Sequence, residues 1–317
     1  MTQNTLFGDE IETESDLFKR FLVPPFSYLD TRIGSWQNRK KRWIALGVNE
    51  QNGRADCLTY INIKKESPFI KDLKAKWKGD NKTSHFDPLL AELLYLWFTK
   101  EGYIVLDPFC GGSVRGIVAD KLKRKYIGID IRQEQITANK EQGKKILYKD
   151  DLWICDDSKN IPSLISEKVD FVFSCPPYGN LETYSDNPSD ISTMEYPDFI
   201  ISYAEIINKA CEKLKDNRFA VFVCGNFRNK QGNYYNFVAD TITLFEQNNL
   251  KFYNEIILLN NIATLVLTCG KKMQHSRKIS KIHQNVLVFI KGDAKKATEE
   301  LGEVKLINPF KQDNRNI

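Results

Sequence analysis

Ile104-Val-Leu-Asp107-Pro-Phe-Cys-Gly-Gly-Ser-Val-Arg-Gly-Ile-Val-Ala-Asp-Lys-Leu-Lys-Arg-Lys-Tyr126-Ile-Gly-Ile-Asp130 decides how the chain folds. Ile104 to Leu106 is an apolar run that ends at Asp107-Pro108, where proline has no N–H to continue a ladder. Gly111 and Gly112 allow a sharp turn with no Cβ in the way. Val114 to Leu122 carries apolar residues at helical spacing, and Tyr126 to Ile129 reads as the next buried strand. Strand, glycine turn, helix and strand make a βαβ unit, and such units bind small ligands beyond the strand ends. Asp130 ends the second strand, about 20 residues past the turn, where a carboxylate can hold a ribose hydroxyl.

The turn departs from the dinucleotide fingerprint, since Ser113 stands where the second glycine of G-x-G-x-x-G belongs. Asp107 adds a carboxylate beside the expected pocket, which would repel a pyrophosphate and suit an ammonium. A ligand with an amino-acid cation at one end and a ribose at the other fits this pattern. S-adenosylmethionine (SAM) has that form. A glycine turn alone is weak evidence, so the second half of the chain has to decide.

There, Val169 to Ser174 reads as a strand leading into Cys175-Pro176-Pro177-Tyr178. Two prolines force an extended backbone that donates nothing to a ladder. Their carbonyls remain as acceptors beside an aromatic ring. A planar exocyclic amine can donate to such carbonyls while its base stacks on Tyr178. Between these motifs, Asp156-Asp157-Ser158 follows an apolar run at Leu152 to Cys155. Asp157 either accepts from an adenine amino group or caps a helix.

The rest of the chain sets bounds. Its 317 residues carry a net charge of +5, which permits nucleic-acid binding without demonstrating it. No apolar run reaches the ~18 residues of a membrane span, and Met1 to Asp16 lacks a signal-peptide pattern. Seven cysteines occur without a C-x-x-C pair, which argues for a reducing, cytoplasmic setting and against a metal site. Residues 1–18 bear only acids and read as a disordered tail. Bases cluster in residues 19–42, 64–82 and 271–281. One basic run is ordinarily a solvated face; three around one domain look like a surface that tracks phosphates. Arg39, Lys40, Arg42, Lys271, Lys272, Arg277 and Lys278 are the DNA-contact candidates. Trp36 and Trp43, seven apart, share a helix face and either pack in a core or stack on bases.

Asp87-Pro88 opens a helix with an N-cap and a proline at its first position. Apolar runs at Phe219–Cys224, Lys251–Leu259 and Asn285–Ile290 supply strands five to seven, and 268–283 reads as a basic loop. The expected layout is an acidic tail (1–18), a basic extension (19–84), a catalytic α/β domain (85–292) and a frayed, charged C-terminal tail (293–317).

Taken together, D-P-F-C-G-G at 107–112, G-I-D at 128–130, D-D-S at 156–158 and C-P-P-Y at 175–178 resemble the DNA amino-methyltransferases. Those enzymes make N6-methyladenine or N4-methylcytosine on a seven-stranded Rossmann-like sheet. The likeness covers residues 85–291, and its Y-S-D-N-P-S-D loop looks most like phage and mobile-element members. It implies that Asp107, Pro108, Phe109, Gly111 and Gly112 border the methionine end of SAM, Asp130 the ribose and Asp157 the adenine. It also implies Phe86 as an upstream cofactor contact and Cys175, Pro176, Pro177 and Tyr178 as the catalytic stretch. Double-stranded DNA is the implied partner, and a homodimer or a partner nuclease stays open. Cys175 departs from the family's Asp, Asn or Ser, so the usual hint of adenine against cytosine is lost. A thiol accepts hydrogen bonds poorly, which leaves the amine to the carbonyls at 175 and 176. A cysteine nucleophile is disfavoured, because it precedes the prolines and no base-activating glutamate motif accompanies it. An RNA or protein-glutamine methyltransferase, or a non-catalytic DNA-binding protein on the same fold, are the alternatives.

Overall fold

A computed structural model of the chain describes residues 13–48, 58–59, 86–179, 182–185, 187–262 and 265–310. The second basic run, 64–82, lies outside them. In chain order the strands are β1 (Tyr28–Asp30), β2 (Leu58–Thr59), β3 (Ile104–Asp107), β4 (Lys125–Asp130) and β5 (Trp153–Cys155). They continue with β6 (Phe171–Ser174), β7 (Glu182–Thr183), β8 (Arg218–Cys224), β9 (Leu250–Leu259) and β10 (His283–Lys291). The helices are α1 (Glu14–Phe21), α2 (Gly34–Ala45), α3 (Pro88–Phe98), α4 (Val114–Lys121) and α5 (Gln133–Leu147). After them come α6 (Ile161–Leu164), α7 (Tyr196–Lys213), α8 (Phe237–Gln247), α9 (Val266–Ser276) and α10 (Ala294–Leu301).

One eight-stranded sheet runs β1-β9-β10-β8-β6-β3-β4-β5, and β2 pairs with β7 apart from it. Seven of its strands are those expected; the eighth, β1, joins the edge parallel to β9, with Tyr28 opposite Ile257. β10 runs antiparallel between β8 and β9, while β3, β4, β5, β6 and β8 are mutually parallel. From β3 the chain winds outward through β4 and β5, then returns to place β6 on the other side of β3. That reversal opens a crevice at the strand ends, between the β3 turn and the end of β6.

Side chains alternate across the sheet with a period of two. Val105, Phe171, Phe173, Val221 and Val223 enter the core on one face, with α3, α4 and α5. Leu106, Val172, Ala220 and Phe222 enter the other, against α7 and α8. Asp87 caps α3 by accepting from the Leu89 N–H at 2.9 Å, with Pro88 at the first position, as the sequence implies.

Residues 28–48 are part of this core, which corrects the expectation of an appended basic extension. Trp36 and Trp43 are fully buried, so packing and not base stacking is their role. The Trp36 indole N–H donates to Asp87 at 3.1 Å, and that of Trp43 to Glu92 at 2.8 Å. Glu92 is itself fully buried on α3 and also receives the Arg39 guanidinium. Arg39 and Arg42 both stack on Phe310, at 4.7 and 4.1 Å from its centroid. Arg39, a DNA-contact candidate in the sequence, is thus turned inward. Glu92→Leu should leave a buried guanidinium and an indole N–H without acceptors and destabilise the protein by about 3–5 kcal/mol. Denaturant unfolding checks this, and a midpoint unchanged from wild type would contradict it.

Two tail assignments also change. Residues 14–21 form α1, closed at its start by a reciprocal Thr13–Asp16 capping box. Residues 294–301 form α10, capped by Asp293 through the N–H groups of Lys295 and Lys296, and Glu300 on it pairs with Arg218. Residues 294–301 are thus docked, not frayed; 1–12 and 311–317 lie outside the described residues. The basic loop read at 268–283 is largely the helix α9.

Candidate active site

The glycine turn after β3 is held from several sides. Gly111 has φ +48°, in the region that disfavours a Cβ. Its N–H donates to the Asp130 carboxylate at 2.9 Å, and its carbonyl accepts from Asn139 Nδ2 at 2.7 Å. Gly116 lets α4 settle on the sheet: a Cβ there would lie 2.8 Å from the Trp153 ring.

Asp130 ends β4 with its second oxygen accepting from the Arg132 N–H at 2.9 Å. Each oxygen thus has one backbone donor and a remaining lone pair, the arrangement a vicinal diol can complete. Burial pushes the Asp130 carboxyl above the usual aspartate range, against the Arg132 and Gly111 N–H groups, which favour its charge.

Asp107 behaves differently from the expectation that it meets an ammonium. It is fully buried and its oxygens are taken. Arg115 Nε donates at 2.5 Å, Tyr126 Oη at 2.7 Å and Ser174 Oγ at 2.5 Å. Arg115, on α4 and almost fully buried, also donates to the carbonyls of Phe109 and Cys110 at 2.7 and 3.0 Å. Asp107 is therefore an internal brace that fixes the turn through Arg115, and it does not line the cleft. The sequence gave no sign of this pairing, because an arginine inside a glycine-turn helix reads as a surface residue.

One cleft of about 490 Å³ lies at the crevice. Phe86, Pro108, Phe109, Gly111, Gly112, Asp130 and Asp157 line it together with Cys175, Pro176, Pro177 and Tyr178. Apart from Asp107, the structure brings together every cofactor-contact and catalytic candidate of the sequence. Asp157 does cap the short turn at Ser158–Asn160, accepting from the Lys159 N–H at 2.9 Å, and still faces the cleft. Ser158 ties that turn to the first motif by donating to the Pro108 carbonyl at 2.6 Å.

Tyr178 sits among rings. It stacks against Phe227 at 6.5 Å between centroids and meets Phe237 edge-on at 6.1 Å. Its hydroxyl oxygen accepts from Gln284 Nε2 at 2.5 Å, and burial pushes its pKa well up, so it stays a neutral phenol. The Cys175 sulfur lies 4.0 Å from the same hydroxyl.

Thr31, Gln37, Asn260, Asn261 and Gln284 also line the cleft and were missed by motif reading; Lys40 lines it with them. They come from the ends of β1, β9 and β10 and from α2, elements far apart in sequence that meet only in the folded sheet. Lys40, expected on DNA, is paired with Asp87 at 3.3 Å on the cleft wall. Arg42 lies against Phe310, whereas Lys271, Lys272 and Arg277 are exposed on or beside α9, and Lys278 is half-buried next to them. Among the described residues no His, Cys, Asp and Glu cluster could hold a metal ion. No helix described is long and apolar enough to cross a membrane.

This strand order, with a glycine turn after β3 and a carboxylate at the end of β4, is a Rossmann-like α/β fold. Residues 29–141 match the family described as DNA methylase. The chain is 44% identical over 61 residues to the type II methyltransferase M2.DpnII of Streptococcus pneumoniae, covering 19% of this chain and 22% of that protein. It is 40% identical over 70 residues to the type II methyltransferase M2.LlaDCHI of Lactococcus lactis subsp. cremoris, covering 22% and 26%. The matched stretch thus spans about a quarter of the length of these curated relatives. Among solved structures it is similar to TrmN from Thermus thermophilus, with 14% identity, a TM-score of 0.45, and coverage of 65% of this chain and 49% of that one. In sequence the chain resembles the DNA amino-methyltransferases.

Proposed function

We propose that the protein is a SAM-dependent DNA methyltransferase that modifies an exocyclic amine, N6 of adenine or N4 of cytosine. One observation carries this reading: the Gly111–Asp130 turn and Cys175-Pro176-Pro177-Tyr178 line the same cleft. The residues fit the cofactor at its ribose and adenine, through Asp130 and Asp157. With Asp107 occupied by Arg115, its ammonium falls to other acceptors of the cleft.

SAM bound there supplies an electrophilic methyl group. The base, turned out of its duplex, enters the cleft and lies against Tyr178. The carbonyls of Cys175 and Pro176 would accept its amine N–H bonds, drawing the nitrogen lone pair out of conjugation toward the methyl; as N–C formed the S–CH3 bond would break with its electron pair on sulfur, and the extra proton on nitrogen would leave to water. Gln284 holds the Tyr178 ring in place by its bond to the hydroxyl. Positioning and the fixed carbonyl dipoles supply the rate; no side chain needs to form a covalent bond.

Labelled methyl transfer from SAM to duplex DNA, followed by nucleoside analysis, tests the reading. Labelled N6-methyldeoxyadenosine or N4-methyldeoxycytidine would support it and identify the base. Label in RNA or protein but not in DNA would overturn the substrate.

The raised Asp130 pKa makes a second prediction. Ribose hydroxyls donate best to the ionised carboxylate, so SAM affinity should weaken as pH falls toward that raised value. The loss should begin at higher pH than for an ordinary aspartate, whose pKa is about 3.9. Calorimetric titration across pH reads this, and Asp130→Asn should flatten the dependence at lower affinity. A wild-type affinity flat down to the ordinary range would remove Asp130 from the contact.

A further inference from the structure

Antiparallel neighbours such as β9 and β10 need only about two to five residues to connect them. Here the connection runs from Asn260 to Ile282 and contains α9. Its neck is closed by the Asn260 N–H donating to the Ile282 carbonyl at 2.8 Å. Asn260, Asn261 and Gln284, on the two sides of that neck, line the cleft. The excursion therefore starts and finishes at the cleft where the base would enter.

No residue of α9 is buried. A helix this short is marginal in water when nothing covers it. Even so, Val266 is 64% exposed, Leu267 51% and Ile279, just beyond the helix, 73%. Val266, Met273 and Ile279 line a shallow apolar groove together. Along this segment the charge has one sign. From Ile256 through Gly292 there is no Asp or Glu, and Lys272 and Arg277 are exposed. Exposed apolar side chains on a segment that carries bases and no acids complement a polyanion that also offers an apolar stack.

We propose that α9 docks on duplex DNA beside the target base, an inference that rests on the methyl-transfer reading. Lys272 and Arg277 lie on phosphates, and Val266 and Leu267 enter the gap the base leaves in the stack. An apolar wedge of this kind offsets part of the unstacking that turning a base out requires.

Two double variants of the full chain test it, each checked for a wild-type melting temperature. Lys272→Ala with Arg277→Ala should weaken binding to duplex fragments of bacterial genomic DNA at least tenfold. The dependence of log K on log salt should also fall by about two units of slope. Val266→Ser with Leu267→Ser should bind the same duplex within about threefold of wild type. It should methylate that DNA at least tenfold more slowly, yet methylate heat-denatured DNA near the wild-type rate, because less stacking opposes extrusion there. Equal losses on both DNA forms, or none on duplex, would overturn the wedge. An unchanged salt slope would overturn the phosphate contacts. A shift from dimer to monomer with unchanged duplex methylation would assign the apolar face to a second copy instead. If the wild-type protein methylates no DNA, the proposed function fails, while the salt slope still reports whether α9 contacts the duplex.

Discussion

Arg115→Met is expected to lower stability by about 3–5 kcal/mol, because it strands the Asp107 carboxylate in a site with no solvent. Tyr126 and Ser174 would remain as donors, but the opposing charge would be gone. The carbonyls of Phe109 and Cys110 would lose their donor at the same time. These carbonyls belong to the turn that bears Gly111, so SAM binding should fall with stability. Thermal unfolding with and without SAM measures both effects. Asp107→Asn in the Arg115→Met background leaves neither charge behind and should recover part of the loss. A single variant within about 1 kcal/mol of wild type would show that the pair does not brace the turn.

Tyr178→Ala should slow methyl transfer about 100-fold while SAM affinity stays within about threefold. Loss of base stacking accounts for about 1–3 kcal/mol, and imprecise placement of the amine for the remainder. Tyr178→Phe separates the two roles of the residue: the ring stays, and the bond from Gln284 and the contact with the Cys175 sulfur are lost. Its activity should fall by less than about tenfold. Steady-state rates with direct SAM titration distinguish these outcomes. If Tyr178→Ala instead abolishes SAM binding, the base end and the cofactor end of the cleft have been exchanged.

The βαβ unit was legible because its information is local. The stop at Asp107-Pro108, the turn at Gly111 and the carboxylate at Asp130 lie within one supersecondary unit, and the structure keeps them there. Cys175-Pro176-Pro177-Tyr178 was legible for the same reason, as prolines end a strand wherever the strand lies. Asp107 shows the limit of that reading. Its fate depends on Arg115, one helical face away, and a sequence does not say whether an arginine turns inward. β1 shows a second limit, since three residues carry too little pattern to announce pairing with a strand over two hundred positions later. Asp293 and Gly302 do mark both ends of α10, yet the charged residues between them outweighed those signals.

The pairing of β1 with β9 has a consequence for how the protein is made. Thr31 donates its hydroxyl to the Leu259 carbonyl across 228 residues of chain. At about 5–20 residues per second on the ribosome, the early segment waits on the order of 10–50 s for its partner. Throughout that interval Trp36 and Trp43 can dock on α3 once it emerges, but the outer edge of the sheet does not yet exist. The parallel strands β3 to β6, made before β9 and β10, can pair with one another in that interval, while the N-terminal strand waits for β9.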